Sequence, residues 1–155
     1  MMVQAGAPSG RSVDAVDRRL IDLLSVNSRS SVSELASGAG ISRANAYQRF
    51  DKLREDGVIR GFTVRVDPRR LGLDVTALII VNGEQRSWRE LLGELQQLPG
   101  VEYVALTAGG FDFVLIVRVA DVETLRDVVL DGLQGIAGVR STQTMFILDE
   151  YDHRR

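Results

Sequence analysis

Apolar positions recur along the chain with two different periods, and the change of period divides it. Val16, Leu20, Leu23 and Leu24 share one face of a helix that Asp14 caps, that carries Asp17 in its first turn, and that ends near Asn27. Ser31-Val-Ser-Glu34 has the hydroxyl and carboxylate spacing of a capping box, and Val32, Leu35, Ala36 and Ala39 continue it as a short helix. Gly38 and Gly40 stop that helix. Ile41 pins the turn, and Ser42 caps a third helix whose inner face is Ala46, Phe50 and Leu53, closed by Gly57. Val58, Ile59, Phe62, Val64 and Val66 are then spaced as β structure, with Gly61 as a turn, which predicts a small wing.

From Asp74 the order is β, α, β, β, α, β. A strand runs from Val75 to Val81. A second capping box, Ser87-Trp-Arg-Glu90, opens a helix with Trp88, Leu91, Leu92, Leu95 and Leu98 on one face. Strands follow over Val101–Thr107 and Phe111–Val119. Asp121 caps a helix that turns Val122, Leu125, Val128, Val129 and Leu133 inward, and Val139–Leu148 is the last strand. The predicted class is α+β: an N-terminal winged helix-turn-helix followed by a ferredoxin-like βαββαβ regulatory domain. The expected divisions are a disordered tail over 1–12, a DNA-binding domain over 13–66, a linker over 67–73, an effector-binding and oligomerisation domain over 74–150, and a tail over 151–155.

The strands carry one further expectation. Helices in such a fold cover one sheet face, and the other normally alternates to polar. Here Phe111, Phe113, Leu115 and Val117 occupy one face, Val114 and Ile116 the other, and Ala77 to Val81 are apolar on both sides. A second copy of the sheet is the simplest cover, predicting a two-fold dimer, with burial against the N-terminal domain as the rival explanation.

Composition narrows the chemistry. The 155 residues include no cysteine and one histidine, His153, which excludes disulfides and thiolate metal sites and leaves no histidine-based catalytic set. No metal, cofactor or enzymatic activity is expected. No apolar run is long enough to span a membrane, and MMVQAGAPSGRS does not read as a signal peptide, so a cytoplasmic protein is expected. The formal charge is −2, but residues 1–70 carry twelve Lys/Arg against eight Asp/Glu, and the remainder seven against thirteen. A basic front on an acidic back suits a polyanion at the front.

Residues 31–60 make the strongest motif: two helices about a short glycine-containing turn, with the second helix placed for the major groove of double-stranded DNA. Its outward face carries Ala44, Gln48 and Asp51, flanked by Arg43, Asn45, Tyr47 and Lys52. Gln and Asn pair with adenine, Arg with guanine. Arg49, Arg54, Arg60 and Arg65 are placed for phosphates, which give affinity and salt dependence rather than sequence preference. A three-helix bundle with solvated arginines is the plain alternative.

The motifs Asp14-x-x-Asp17-Arg-x-Leu-Ile-x-Leu-Leu, Arg29-x-Ser31-x-x-Glu34-Leu-Ala, Ile41-Ser42, Arg49-x-x-x-Leu53-x-x-x-Gly57-Val-Ile59-x-Gly61-Phe62 and Asp67-Pro68-x-x-Leu71-Gly72 together resemble the Lrp/AsnC (feast/famine) family of transcription regulators over residues 13–150. The resemblance implies DNA binding, dimers that assemble into tetramers or octamers, and response to an amino acid or related metabolite. It also implies an effector pocket at the turn between the second and third strands, here Thr107, Ala108, Gly109, Gly110, Phe111 and Asp112, with Thr142 and Thr144 of the last strand adding hydroxyls. Glycine N–H groups can hold a carboxylate, and Asp112 can pair with an α-amino group. This turn is less polar than the family's usual one. That keeps open an architectural DNA-binding protein of the same fold with no ligand. Decarboxylases that look like this family rely on histidine, which this chain lacks outside its tail.

Overall fold

The computed structural model describes residues 12–84 and 88–151. The expected tail up to residue 11, Ser87 of the second capping box, His153 and the C-terminal tail beyond Tyr151 lie outside the described residues. The chain divides into two compact units, one up to Val64 and the other beginning at Arg65.

The first unit holds α1 (Ala15–Val26), α2 (Val32–Ala39) and α3 (Arg43–Glu55). Each start has a side-chain reason. The Asp14 carboxylate accepts from Asp17 N–H at 2.8 Å while Asp17 accepts from Asp14 N–H at 3.1 Å, a reciprocal box. Glu34 and Ser31 make the same exchange at α2, at 2.6 and 3.3 Å, and Ser42 Oγ accepts from Asn45 N–H at 3.2 Å at α3. Gly40, at φ 68°, supplies the left-handed residue that ends α2 and turns the chain into α3. Leu20, Leu24 and Leu35 form the centre, with Leu23, Ala39, Ile41, Phe50 and Ile59 packed around them.

The second unit holds β1 (Val75–Gly83), α4 (Trp88–Leu95), β2 (Val101–Leu106), β3 (Phe113–Val119), α5 (Val122–Asp127) and β4 (Val139–Phe146). The strands form one antiparallel sheet in the order β2-β3-β1-β4, the ferredoxin-like arrangement expected from the element order. Register separates the faces. Ala77, Ile79 and Val81 stand opposite Val117, Leu115 and Phe113, and all six are buried with Leu91, Leu95, Leu125, Val128 and Leu133. The alternate residues make the other face: Leu78 opposite Ile116, Ile80 opposite Val114, with Tyr103, Ala105 and Met145 beside them. No helix of this unit buries them, and they remain half-buried or exposed. One end of this face is polar. Arg118 there meets Glu102 at 2.7 Å, Glu150 at 2.6 Å and Thr76 at 3.2 Å.

Three sequence expectations are corrected. The wing is absent: residues 58–66 form no strand, and Phe62, Val64 and Val66 are exposed, Val64 by 80%. A strand requires a partner to satisfy its N–H and C=O groups, and no strand among the described residues pairs with the segment. Phe111 lies outside β3, which begins at Phe113, and is itself exposed. The helix after Asp121 is regular only to Asp127. It continues as a wide turn, Val128–Gly132, and a 3₁₀ turn, Leu133–Gly135, while Val122 faces solvent. The widened turn rephases the chain so that Leu133 joins Leu125 and Val128 in the core.

Two caps lend the fold an acid limit. The Ser31 N–H holds the Glu34 carboxyl below its ordinary 4.5, and the Thr124 N–H holds that of Asp121 below its ordinary 3.8. A depressed carboxyl contributes stability above its unfolded value and loses it as pH falls through the folded one. Glu34→Ala is therefore expected to lower the melting temperature at neutral pH. The gap to the wild type should close as pH drops below 4.5. Thermal melts of both proteins across that range test it, and a gap independent of pH would refute it.

Candidate DNA-reading surface and effector cavity

In the first unit α2, the Gly40–Ser42 turn and α3 make a helix-turn-helix. α3 buries Ala46 and Leu53, and Phe50 packs half-buried beside them. The opposite side, with Ala44, Tyr47 and Gln48, is exposed.

The cations along α3 are not equivalent. Arg49 turns toward α1. Its Nη1 donates to Asp14 Oδ2 at 2.7 Å and Asp17 Oδ1 at 2.8 Å, and its Nε donates to Asn45 Oδ1 at 2.9 Å. Asp17 is only 3% exposed. The two carboxylates that cap α1 thus also receive the guanidinium from α3. Their hydrogen bonds hold the Arg49 pKa above its already high ordinary value. Arg49 was expected to meet phosphate and instead takes carboxylates, and it engages the oxygen of Asn45, a residue expected to pair with adenine. Lys52 sits 3.3 Å from Asp56, and Arg54 lies over the Phe50 ring at 5.8 Å, itself 6.4 Å from the ring of Phe62. Arg43, Tyr47, Gln48 and Arg60 are exposed, and their side chains make no hydrogen bond or ion pair with the described residues. The Asp14–Asp17–Arg49 clip was not among the functional residues read from sequence. The capping pair was its only local sign.

In the second unit the β2–β3 hairpin is closed by Thr107 N–H to Asp112 O at 2.8 Å and by the Thr107 hydroxyl to Phe111 O. Asp112 ties it to β1: its Oδ2 accepts from Gly83 N–H at 2.9 Å, and its own N–H donates to Val81 O at 3.2 Å. A Cβ at Gly83 would lie 2.5 Å from the tip of the Leu91 side chain and 3.2 Å from the Gly138 carbonyl, so a larger residue there would have to displace Leu91. Beside this junction is a cavity of about 280 Å³ lined by Gly83, Glu84, Trp88, Leu106, Thr107, Asp112 and Phe113. It brings together two of the expected effector residues, Thr107 and Asp112. Ala108, Gly109, Gly110 and Phe111 form the exposed tip and do not line it. Thr142 and Thr144 pair with Val81 and Ile79, and they too stand outside the lining. Gly83, Glu84, Trp88, Leu106 and Phe113, which complete the lining, were not among the residues expected there. Trp88 reads in sequence as one more position on an apolar helix stripe, and nothing local marks Glu84.

Comparison with known proteins agrees with both units. Residues 13–54 match the AsnC-type helix-turn-helix domain, and residues 76–155 the Lrp/AsnC ligand binding domain. An HTH-type transcriptional regulator of Pyrococcus abyssi is 34% identical, covering 88% of this chain and 93% of its own. The regulator AldR of Mycolicibacterium smegmatis is 35% identical, covering 90% and 83%. Among solved structures, E. coli AsnC superposes with a TM-score of 0.85 at 27% identity over 94% of this chain and 98% of its own. The feast or famine regulatory protein from M. tuberculosis, complexed with L-methionine, does so with 0.83 at 30% identity over 93% and 98%.

Proposed function

The chain belongs to the Lrp/AsnC family of transcription regulators, and from that premise we propose that it reads specific DNA with α3 and changes its grip when an amino acid or related metabolite enters the cavity beside the β2–β3 hairpin. DNA-binding regulation is the family's work. The effector, its site and the assembly are our reading. On this reading residues 13–66 are the DNA-binding head and residues 74–150 the effector-binding and oligomerisation domain. The protein acts in the cytoplasm and carries out no catalysis.

The observation that carries the effector reading is the cavity. Its lining brings two acidic residues, Glu84 and Asp112, together with Trp88, Leu106 and Phe113. A carboxylate can hold an α-ammonium, the adjoining glycine turn can offer N–H groups to a ligand carboxylate, and the walls suit an aliphatic or aromatic side chain. One relative's complex with L-methionine supports the same class of ligand.

The open face of the sheet supports self-association. Leu78, Ile80, Val114 and Ile116 form a contiguous apolar patch that a second sheet would cover about a two-fold axis. Such dimers assembling further into tetramers or octamers would set the spacing of the heads. A ligand alters that assembly only through different affinities for its two states.

The test is binding to DNA upstream of the protein's own gene against random DNA, at near-physiological salt, with and without the twenty amino acids. Preferential binding that shifts with the pool is expected, and dividing the pool names the ligand. Preferential binding indifferent to amino acids would favour an architectural role.

A further inference from the structure

We propose that α3 reads an A·T-containing step, Gln48 pairing with an adenine and the Ala44 methyl meeting the methyl of a thymine within two base pairs of it. This inference rests on the DNA-binding reading above and names what that surface recognises.

At 100° per residue Ala44 and Gln48 lie on one face, directly away from buried Ala46 and Leu53. Four residues span about 6 Å of helix, less than two base-pair steps of about 3.4 Å. Recognition helices present their N-terminal half to base edges, and both residues lie in the first half of α3. The Gln48 side chain is exposed and makes no hydrogen bond with the described residues, so its amide oxygen and nitrogen are both available for the N6–H and N7 of adenine. Asn45, the other amide in this half, is held by Arg49.

The candidates for guanine are worse placed. Arg49 is turned inward onto Asp14 and Asp17. Arg54 covers Phe50. Arg43 projects about a third of a turn from the centre of the Ala44–Gln48 face, toward a flanking strand. Lys52 is a full turn beyond Gln48 and beside Asp56. No cation therefore stands at the centre of this face among the described residues. The half-buried Asp51 borders it.

The test uses the full-length protein and a randomised duplex library. Selection is expected to enrich sites with an adenine and a thymine within two base pairs. Replacing that thymine by uracil removes only the methyl and should weaken wild-type binding about fourfold. Replacing the adenine by 7-deazaadenine removes one acceptor and should weaken it roughly 2- to 13-fold. Gln48→Ala should lose roughly 5- to 150-fold on the selected site, little on random DNA, and its sensitivity to 7-deazaadenine. Ala44→Gly should lose sensitivity to uracil. The base substitutions leave the protein untouched, so the outcome does not depend on how a variant folds. Enrichment of G·C sites, or wild-type indifference to both substitutions, would overturn the inference while leaving DNA binding standing. Failure to enrich any duplex would remove the DNA-binding reading with it.

Discussion

Ile116→Asp is expected to yield a folded chain that no longer self-associates, whereas Phe113→Asp destroys the second unit altogether. The two positions lie three residues apart on one strand and face opposite ways. Phe113 stands opposite Val81, 1% exposed, beneath the helices. Placing a carboxylate there removes an aromatic worth about 3–5 kcal/mol of packing and buries an unpaired polar group costing several more. That rivals the about 5–15 kcal/mol that holds a whole domain folded. Ile116 stands opposite Leu78 on the face no helix of the unit covers. In the single chain an aspartate there keeps contact with water and costs about 1 kcal/mol. In a sheet-to-sheet dimer two symmetry-related carboxylates would be driven into an apolar interface, each costing several kcal/mol. Circular dichroism and sedimentation separate the outcomes. An Ile116→Asp protein that sediments like the wild type would show that this face is not the contact, and a stable Phe113→Asp protein would contradict the observed core.

The same strand shows what the sequence discloses and what it withholds. Alternation told that Phe113, Leu115 and Val117 share a face, because side-chain direction in a strand is a local property with period two. The three helix starts were legible for a similar reason: a capping pair sits within four residues. The segment 58–66 has the same β spacing and yet forms no strand, since pairing is settled by a partner's backbone and not by the segment's own pattern. Phe111 continues the alternation on paper, but Thr107 and Asp112 close the hairpin over it. In the effector region the turn was visible as Gly109-Gly110. The cavity is not built at that tip. It lies where Glu84 and Trp88 come from separate elements to meet Thr107 and Asp112, a meeting created by sheet order alone. Arg49 is the sharpest case. Its position on a groove-adjacent helix suggested phosphate, while its partners lie 35 and 32 residues earlier in the chain.

That displacement of role has a direct consequence. Arg49→Ala is expected to destabilise the DNA-binding unit by about 2–4 kcal/mol, and to lose DNA binding only because the unit loosens. Removing one member of a buried ion pair typically costs about 3–5 kcal/mol, because the other charge is left without compensation. Here Asp17, whose side chain is 4% exposed, loses Arg49 but keeps its bond to the Asp14 N–H, and Arg49 itself is 19% exposed, which discounts the figure toward its lower end. Loss of the clip also frees the start of α1 from α3, so two of the three helices are unpinned together. Arg49→Lys should recover part of the loss, since an ammonium supplies charge but not the planar fork that spans Asp14, Asp17 and Asn45. A phosphate-contacting arginine would behave differently. Its removal would leave the melting temperature unchanged, weaken binding to all sequences alike, and reduce the salt slope by about one. Thermal melts and salt titrations of Arg49→Ala therefore decide between the two roles. A normal melt with a shallower salt dependence would return Arg49 to the DNA surface. A lowered melt, with the wild-type slope retained by the fraction still folded, would keep it as the clip between α1 and α3.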